Sequence, residues 1–271
     1  MQTLRVNGYD MAYLEIGSGT PLVLVHGTLG DFRTWNGVMG PLSKKHRVIS
    51  VSLRRFFPEH WNGVGNDFLM AQHVDDVIAF IAQLSPQPVD LMGHSRGGHI
   101  GFRVAEARPD LIRKLVLAEP GGELDASLLP PGAPPTPPSP LAALMPVMLQ
   151  KIRDGDIDGA LVPFVDVLDG DGAWKHLSAP ARQQLRDNIY TLLGQAGESR
   201  KPFTRAQAES IRAPTLFIGG GATTGNLAVI HRVLAPFFAG SKTVIIDDAH
   251  HWMFDHDPTH FCEVVTEFLA G

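Results

Sequence analysis

The chain has 271 residues, 44% hydrophobic and 19% charged, enough for one globular domain with a large core. A formal charge of -5 without a basic cluster argues against nucleic acid as the main partner. The single cysteine, Cys262, excludes an intramolecular disulfide and a cysteine-based metal site. No apolar run approaches the roughly 18 residues of a membrane span, and "MQTLRVNGYDMAYLE" has no basic segment leading into an apolar stretch, so the expectation is a soluble, cytoplasmic protein.

In chain order, "TLRV" and "MAYLE" around Gly8 predict an antiparallel hairpin at a sheet edge. Short apolar runs follow at 21–27, 47–53, 89–93, 114–120, 214–220 and 242–248. They are rich in Val, Ile and Leu and lack clean alternation, which predicts strands covered on both faces. Between them, "DFLMAQHVDDVIAFIAQL" sets Leu69, Val74, Ile78 and Ile81 on one helical stripe. "HIGFRVAEARPD", "NLAVIHRVLAPFF" and "DPTHFCEVVTEFLAG" read as further helices. Strands alternating with helices imply right-handed crossovers and a mostly parallel sheet.

The rhythm breaks over 121–205. A proline-rich connector, "GGELDASLLPPGAPPTPPSP", is too stiff and donor-poor for a helix or central strand. Helical segments follow at 140–153, 157–167 and 179–195. The organisation predicted is an α/β core made of 1–120 and 206–271, with 121–205 inserted as a helical cap that walls off substrate and water. The cap's Phe164, Trp174 and Tyr190 are candidates for apolar lining or for the cap's own core.

Gly93-His94-Ser95-Arg96-Gly97 matches G-x-S-x-G between a predicted strand and a predicted helix, where a nucleophile elbow belongs. Glycines two before and two after the serine relieve the overlap of so sharp a turn. The hydroxyl then stands at a helix N-terminus, where free N–H groups favour developing negative charge. Serine needs a base. "IIDDAHHWMFDHDPTHF", between the last strand and the last helix, supplies His251 as first candidate and His250 as second. His256 and His260 read as helix-entry and solvent-facing residues.

With these residues the chain resembles the α/β-hydrolase superfamily in its capped form. "VLVHGTLGDFRTW" resembles the exit of the family's third strand, "GHSRGG" its elbow, and "DDAHHWMFDHDPTHFCEVVTEFL" its histidine loop and last helix. The resemblance implies that the backbone N–H groups of Thr28 and Arg96 form an oxyanion hole, and that His26 is structural. It also implies an Asp after the seventh strand, yet 219–226 contains no carboxylate and Thr223 stands at the expected place. Some capped relatives carry the acid after the sixth strand, which here selects Glu119. The alternatives are a hinge role for Glu119 before Pro120, and an acid from Asp247 or Asp248, which precede the histidines too closely to face His251 easily. Where relatives read D-x-x-G-x-G-x-S, this chain has "SLRRFFPEHWNG"; Arg54 and Arg55 could bind a substrate carboxylate or pair with nearby acids.

The expected protein is a serine hydrolase with a Ser95–Glu119–His251 triad, needing no metal or organic cofactor, that cleaves a small ester or lactone, or an amide. Serine at the elbow argues against dehalogenase and epoxide hydrolase chemistry, which in this superfamily uses an Asp nucleophile. Carbon–carbon bond hydrolysis, cofactor-free oxygen chemistry and a hydrolase-like small-molecule receptor are the alternatives, because function lives in the pocket rather than the scaffold.

Overall fold

The computed structural model describes residues 1–134 and 136–271; Pro135, within the proline-rich connector, lies outside the described residues. The predicted hairpin forms from β1 (Gln2–Val6) and β2 (Tyr9–Ile16), paired antiparallel. The remaining strands are β3 (Pro21–Val25), β4 (Arg47–Val51), β5 (Val89–His94), β6 (Ile112–Ala118), β7 (Thr215–Gly220) and β8 (Lys242–Ile246). The eight-stranded sheet runs β1-β2-β4-β3-β5-β6-β7-β8, parallel from β4 to β8, with β2 antiparallel to β4. This is the α/β-hydrolase fold.

The continuous apolar runs are explained by burial on both faces. Val23 and Val25 of β3 pack into one core layer while Leu22 and Leu24 pack into the other. The same split places Phe217 of β7 on the first face and Leu216 and Ile218 on the second. Helices α2 (Met70–Leu84) and α3 (Arg96–Ala107) cover one face; α1 (Asn36–Leu42), with its Gly37, Gly40 and Pro41, escaped the sequence reading and covers the other.

The stripe expected on α2 needs correction. Leu69 lies before the helix and is 46% exposed, while the buried face runs Met70, His73, Val74, Val77, Phe80 and Ile81.

Between β6 and β7 the chain leaves the sheet as a helical insertion: α4 (Pro140–Arg153), α5 (Ile157–Asp169), α6 (Ala179–Asp187), α7 (Thr191–Ala196) and α8 (Arg205–Ser210). The single helix expected over 179–195 breaks at Asn188. There the side-chain amide donates to Asp31 Oδ2 at 2.7 Å and accepts from the Phe57 N–H at 2.7 Å, pinning the insertion to the core. Leu161, Phe164, Val165 and Leu192 give the insertion its own core, and the chain rejoins the main core at Phe203 and Ala208. Helices α9 (Gly225–Leu234), α10 (Met253–His256) and α11 (Pro258–Ala270) complete the chain, and Cys262 is buried in α11. Among the described residues no helix is long and apolar enough to cross a membrane.

Several histidines are structural parts held neutral. His26 Nδ1 donates to the Gly27 carbonyl at 2.8 Å while Nε2 accepts the Leu53 N–H at 3.1 Å. Burial lowers its pKa from 6.5 to about 4. Burial likewise lowers His99 to about 3, and holds His73, His94 and His231 down. Between those depressed values and the ordinary 6.5, the unfolded chain binds protons that the folded rings refuse, so stability falls as pH drops through this window. These rings should together take up roughly four protons on unfolding near pH 5.5, each adding about 1.4 kcal/mol per pH unit to the slope, and Asp90, Asp169 and Asp255, whose carboxyl pKa values burial raises, give part of that back. Urea-unfolding free energies at pH 5, 6 and 7.5 measure this, and a slope equivalent to less than about one proton would show that these rings titrate normally in the fold.

Candidate active site

Ser95 sits between β5 and α3 with φ 52 and ψ -114, a strained backbone for a residue other than glycine. A Cβ at Gly93 would lie 2.1 Å from the Gly97 carbonyl oxygen, and one at Gly97 would lie 2.1 Å from that of Val25. Both glycines are therefore required by backbone contact rather than by flexibility. Backbone bonds fix the turn: the Ser95 N–H donates to Ala118 at 3.0 Å, and its carbonyl accepts from His99 at 3.0 Å and Gly121 at 2.9 Å.

Glu119 follows β6 with φ 41 and is fully buried. One carboxylate oxygen, Oε2, lies 2.6 Å from His251 Nδ1; the other accepts the Gly220 N–H at 2.7 Å. The end of β7 thus contributes a backbone donor to this acid instead of an acid of its own. A Cβ at Gly220 would stand 2.4 Å from the Ala249 carbonyl oxygen, so this approach needs glycine. Thr223 is buried with its hydroxyl unpartnered, and Asp247 and Asp248 are exposed.

His251 is 2% exposed. Its carbonyl accepts the Nε2–H of His94 at 2.9 Å, and the two rings lie 4.4 Å apart between centroids. His94 is thus a support for His251, a role that its place in the motif did not reveal. Among the described residues the ring of His251 bonds to Glu119, and Ser95 meets it across a shared cavity; such contacts often close only when a substrate is bound. His250 turns away, towards Gly170. His256 and His260 are both exposed.

Thr28 lies on the cavity wall, in a loop packed so closely on the elbow that a Cβ at Gly27 would be 3.1 Å from Ser95 Cβ. The Thr28 hydroxyl donates to Gln195 Oε1 at 2.9 Å. Arg96 opens α3, and its buried guanidinium donates to both oxygens of Glu198, at 2.6 and 2.7 Å, and to His73 Nδ1 at 2.8 Å. Both side chains therefore reach the insertion. No sequence spacing announced these partners, which come 167 and 102 residues later.

The cavity measures about 470 Å³. Phe164 and Trp252 line it; Trp174 and Tyr190 do not. Arg54 and Arg55 stand outside its wall, paired with acids: Arg54 with Asp76 at 2.8 Å, Arg55 with Asp67 at 2.7 Å and with Glu59. An adjoining cavity of about 510 Å³ shares Thr28, His94 and Trp252 with the first. Among the described residues no group of three His, Cys, Asp or Glu side chains could hold a metal ion.

The chain belongs to the Alpha/beta hydrolase family, whose pattern matches residues 22–263. Among curated proteins it is similar to the sn-1-specific diacylglycerol lipase ABHD11 of Mus musculus, at 24% identity over 92% of this chain and 80% of that one. Among solved structures it is similar to the enol-lactonase of Burkholderia xenovorans LB400, with a TM-score of 0.79, 20% identity, and coverage of 99% of this chain and 100% of that one. It is also similar to the meta-cleavage product hydrolase of Pseudomonas fluorescens IP01, with a TM-score of 0.77, 16% identity, and coverage of 100% of this chain and 97% of that one.

Two glycines of α3 test the elbow's packing. Gly97→Ala forces a backbone collision and should cost about 3 kcal/mol or more. At Gly101 a Cβ would meet only ordinary contacts at 3.5 Å and beyond, so Gly101→Ala should stabilise by up to about 1 kcal/mol through helix propensity. Urea denaturation of both variants reads the difference; similar midpoints would contradict the account.

Proposed function

We propose that the protein is a serine hydrolase acting on a small ester or lactone, with Ser95 as nucleophile, His251 as base and Glu119 as the acid that orients it. The observation that carries this reading is the 2.6 Å contact between Glu119 and His251 Nδ1, beside a cavity that also holds Ser95. His251 takes the Ser95 proton on Nε2 as Oγ attacks the carbonyl carbon. The N–H groups of Thr28 and Arg96 hold the oxyanion, and the proton passes from His251 to the leaving oxygen. Water, deprotonated by the same ring, then attacks the acyl carbon; the bond to Ser95 Oγ breaks as His251 returns the proton to Oγ, and the carboxylic acid departs. The enol-lactonase likeness supports a lactone or ester as substrate.

Glu119 has a second task in this scheme. With Oε1 engaged by the Gly220 N–H, Oε2 is left to accept from His251 Nδ1–H, which keeps the Nε2 lone pair towards Ser95. In Glu119→Gln the oxygen stays with the Gly220 donor, and the amide NH2 then faces Nδ1 and favours the opposite tautomer. Ester turnover should fall roughly 1,000- to 10,000-fold with the fold retained. Intact-mass analysis after fluorophosphonate treatment should find one adduct on the wild type, lost in Ser95→Ala and slowed in Glu119→Gln. No adduct on folded wild-type protein, or full turnover in Glu119→Gln, would remove this triad.

A further inference from the structure

The cavity beside Ser95 has two unlike walls. Leu141 and Met145 of α4 and Phe164 and Leu168 of α5 make one of them apolar. The segment after α7 makes the other polar, with Glu198 and Arg200 on the cavity surface. Glu198 is already satisfied: Arg96 takes both of its oxygens, at 2.6 and 2.7 Å. Arg200 receives only a share, one Nε–H contact to Glu198 Oε2 at 3.1 Å. Its Nη2 is sealed away from solvent, but the side chain as a whole keeps 23% exposure, and among the described residues Nη1 makes no hydrogen bond. An unpartnered guanidinium N–H on a cavity wall takes a carboxylate, with its planar pair of oxygens, better than any neutral group.

The segment carrying this group is fixed in place. Arg103 Nη2 donates to the carbonyls of Lys201 and Pro202, at 2.7 and 2.8 Å, and Phe203 is fully buried against Phe102 and His99. The neighbouring charges leave Arg200 under-compensated. Burial and the adjacent Arg96 lower its pKa from 12.5 to about 10, still cationic at neutral pH, while His99 is neutral. Glu123 also lines the cavity and attracts Arg200 through space. It is placed to compete with an incoming anion.

We propose that Arg200 is the anchor for a carboxylate on the substrate, so that the ester or lactone cleaved at Ser95 carries a second, free carboxylate and an apolar body. This deepens the hydrolase reading and rests on it. Arg54 and Arg55, the arginines singled out in the sequence for such a role, are consumed by acids outside the cavity; Arg200 takes their place.

The test compares monoethyl adipate, which has one free carboxylate, with diethyl adipate, which has none, as competitors of fluorophosphonate labelling of Ser95. A competitor slows labelling whether it is turned over or only bound, so the readout does not depend on the probe being the natural substrate. In the wild type the monoester should slow labelling at roughly 10- to 100-fold lower concentration than the diester, the range expected for one charge-assisted arginine–carboxylate contact. In Arg200→Gln that ratio should collapse towards one, and Arg200→Lys should restore part of it. Glu123→Gln, which removes the competing anion, should widen it. Because each ratio is internal to one variant, a general loss of folded protein cancels. Equal potency of the two competitors in the wild type, or a preference that survives Arg200→Gln, would overturn the assignment while leaving Ser95 as nucleophile. Absence of wild-type labelling would overturn both readings.

Discussion

The Glu119 carboxylate is the point on which this site turns. It is fully buried, and it is compensated on one side by a backbone N–H from β7 and on the other by the ring of His251. A carboxylate that deep needs both contacts, since an unpaired buried charge is expensive. The two donors come from the end of β7 and from the loop after β8, so the acid can be satisfied only when β6, β7 and that loop are in register. The positive φ at Glu119 is local strain accepted for that aim. Ser95 carries the same kind of strain one strand away, and the two residues are joined through the Ser95 N–H, which donates to the Ala118 carbonyl just before Glu119.

The helical insertion is more than a cover over the cavity. Thr28 and Arg96, whose backbone N–H groups are the proposed oxyanion donors, each bond through their side chains to the stretch from Gln195 to Glu198. Movement of that stretch would be felt first by the loop after β3 and by the first turn of α3. The Arg96–Glu198 pair is buried at both ends, with side-chain exposures of 0% and 1%. Such a pair is weak evidence for stability, because desolvation offsets much of the attraction, and its better-attested use is to fix one geometry among several. Here it fixes the guanidinium beneath the elbow, with His73 held neutral on the other side to accept a further Nη2–H.

What the sequence made legible follows from range. Strands buried on both faces announce themselves as apolar runs, and the elbow announces itself because its glycines lie within two residues of Ser95 and answer to backbone collisions. Glu119 was suggested by the family resemblance, since the place where most relatives carry the acid, 219–226, has no carboxylate and some capped relatives carry it after the sixth strand. The partners of Thr28, Arg96 and Arg54 could not be reached, because a side-chain contact across a hundred residues leaves no periodic trace. Local chemistry hid other features. Asn188 splits an otherwise continuous helical pattern by bonding to Asp31 and Phe57, and α1 was masked by its glycines and proline. His94 sat inside the quoted motif, yet its support of the His251 carbonyl is visible only when the last loop is laid over β5.

The arginines show how these levels connect. Three of them, Arg54, Arg55 and Arg96, look equivalent in sequence terms, each near the end of a strand that feeds the site. Packing separates them by the acids within reach: Asp76, Asp67 and Glu59 neutralise the first two outside the cavity, and Glu198 is saturated by the third. Arg200 shares with Arg96 a carboxylate that Arg96 already holds through both oxygens, which is why the proposed anchor falls to Arg200. Site character is set here by which partners the fold has left over, and a residue's type alone cannot reveal that. The same accounting applies to Glu119: each of its two oxygens has one partner from the protein, the Gly220 N–H and the ring of His251, and both are supplied by the fold itself.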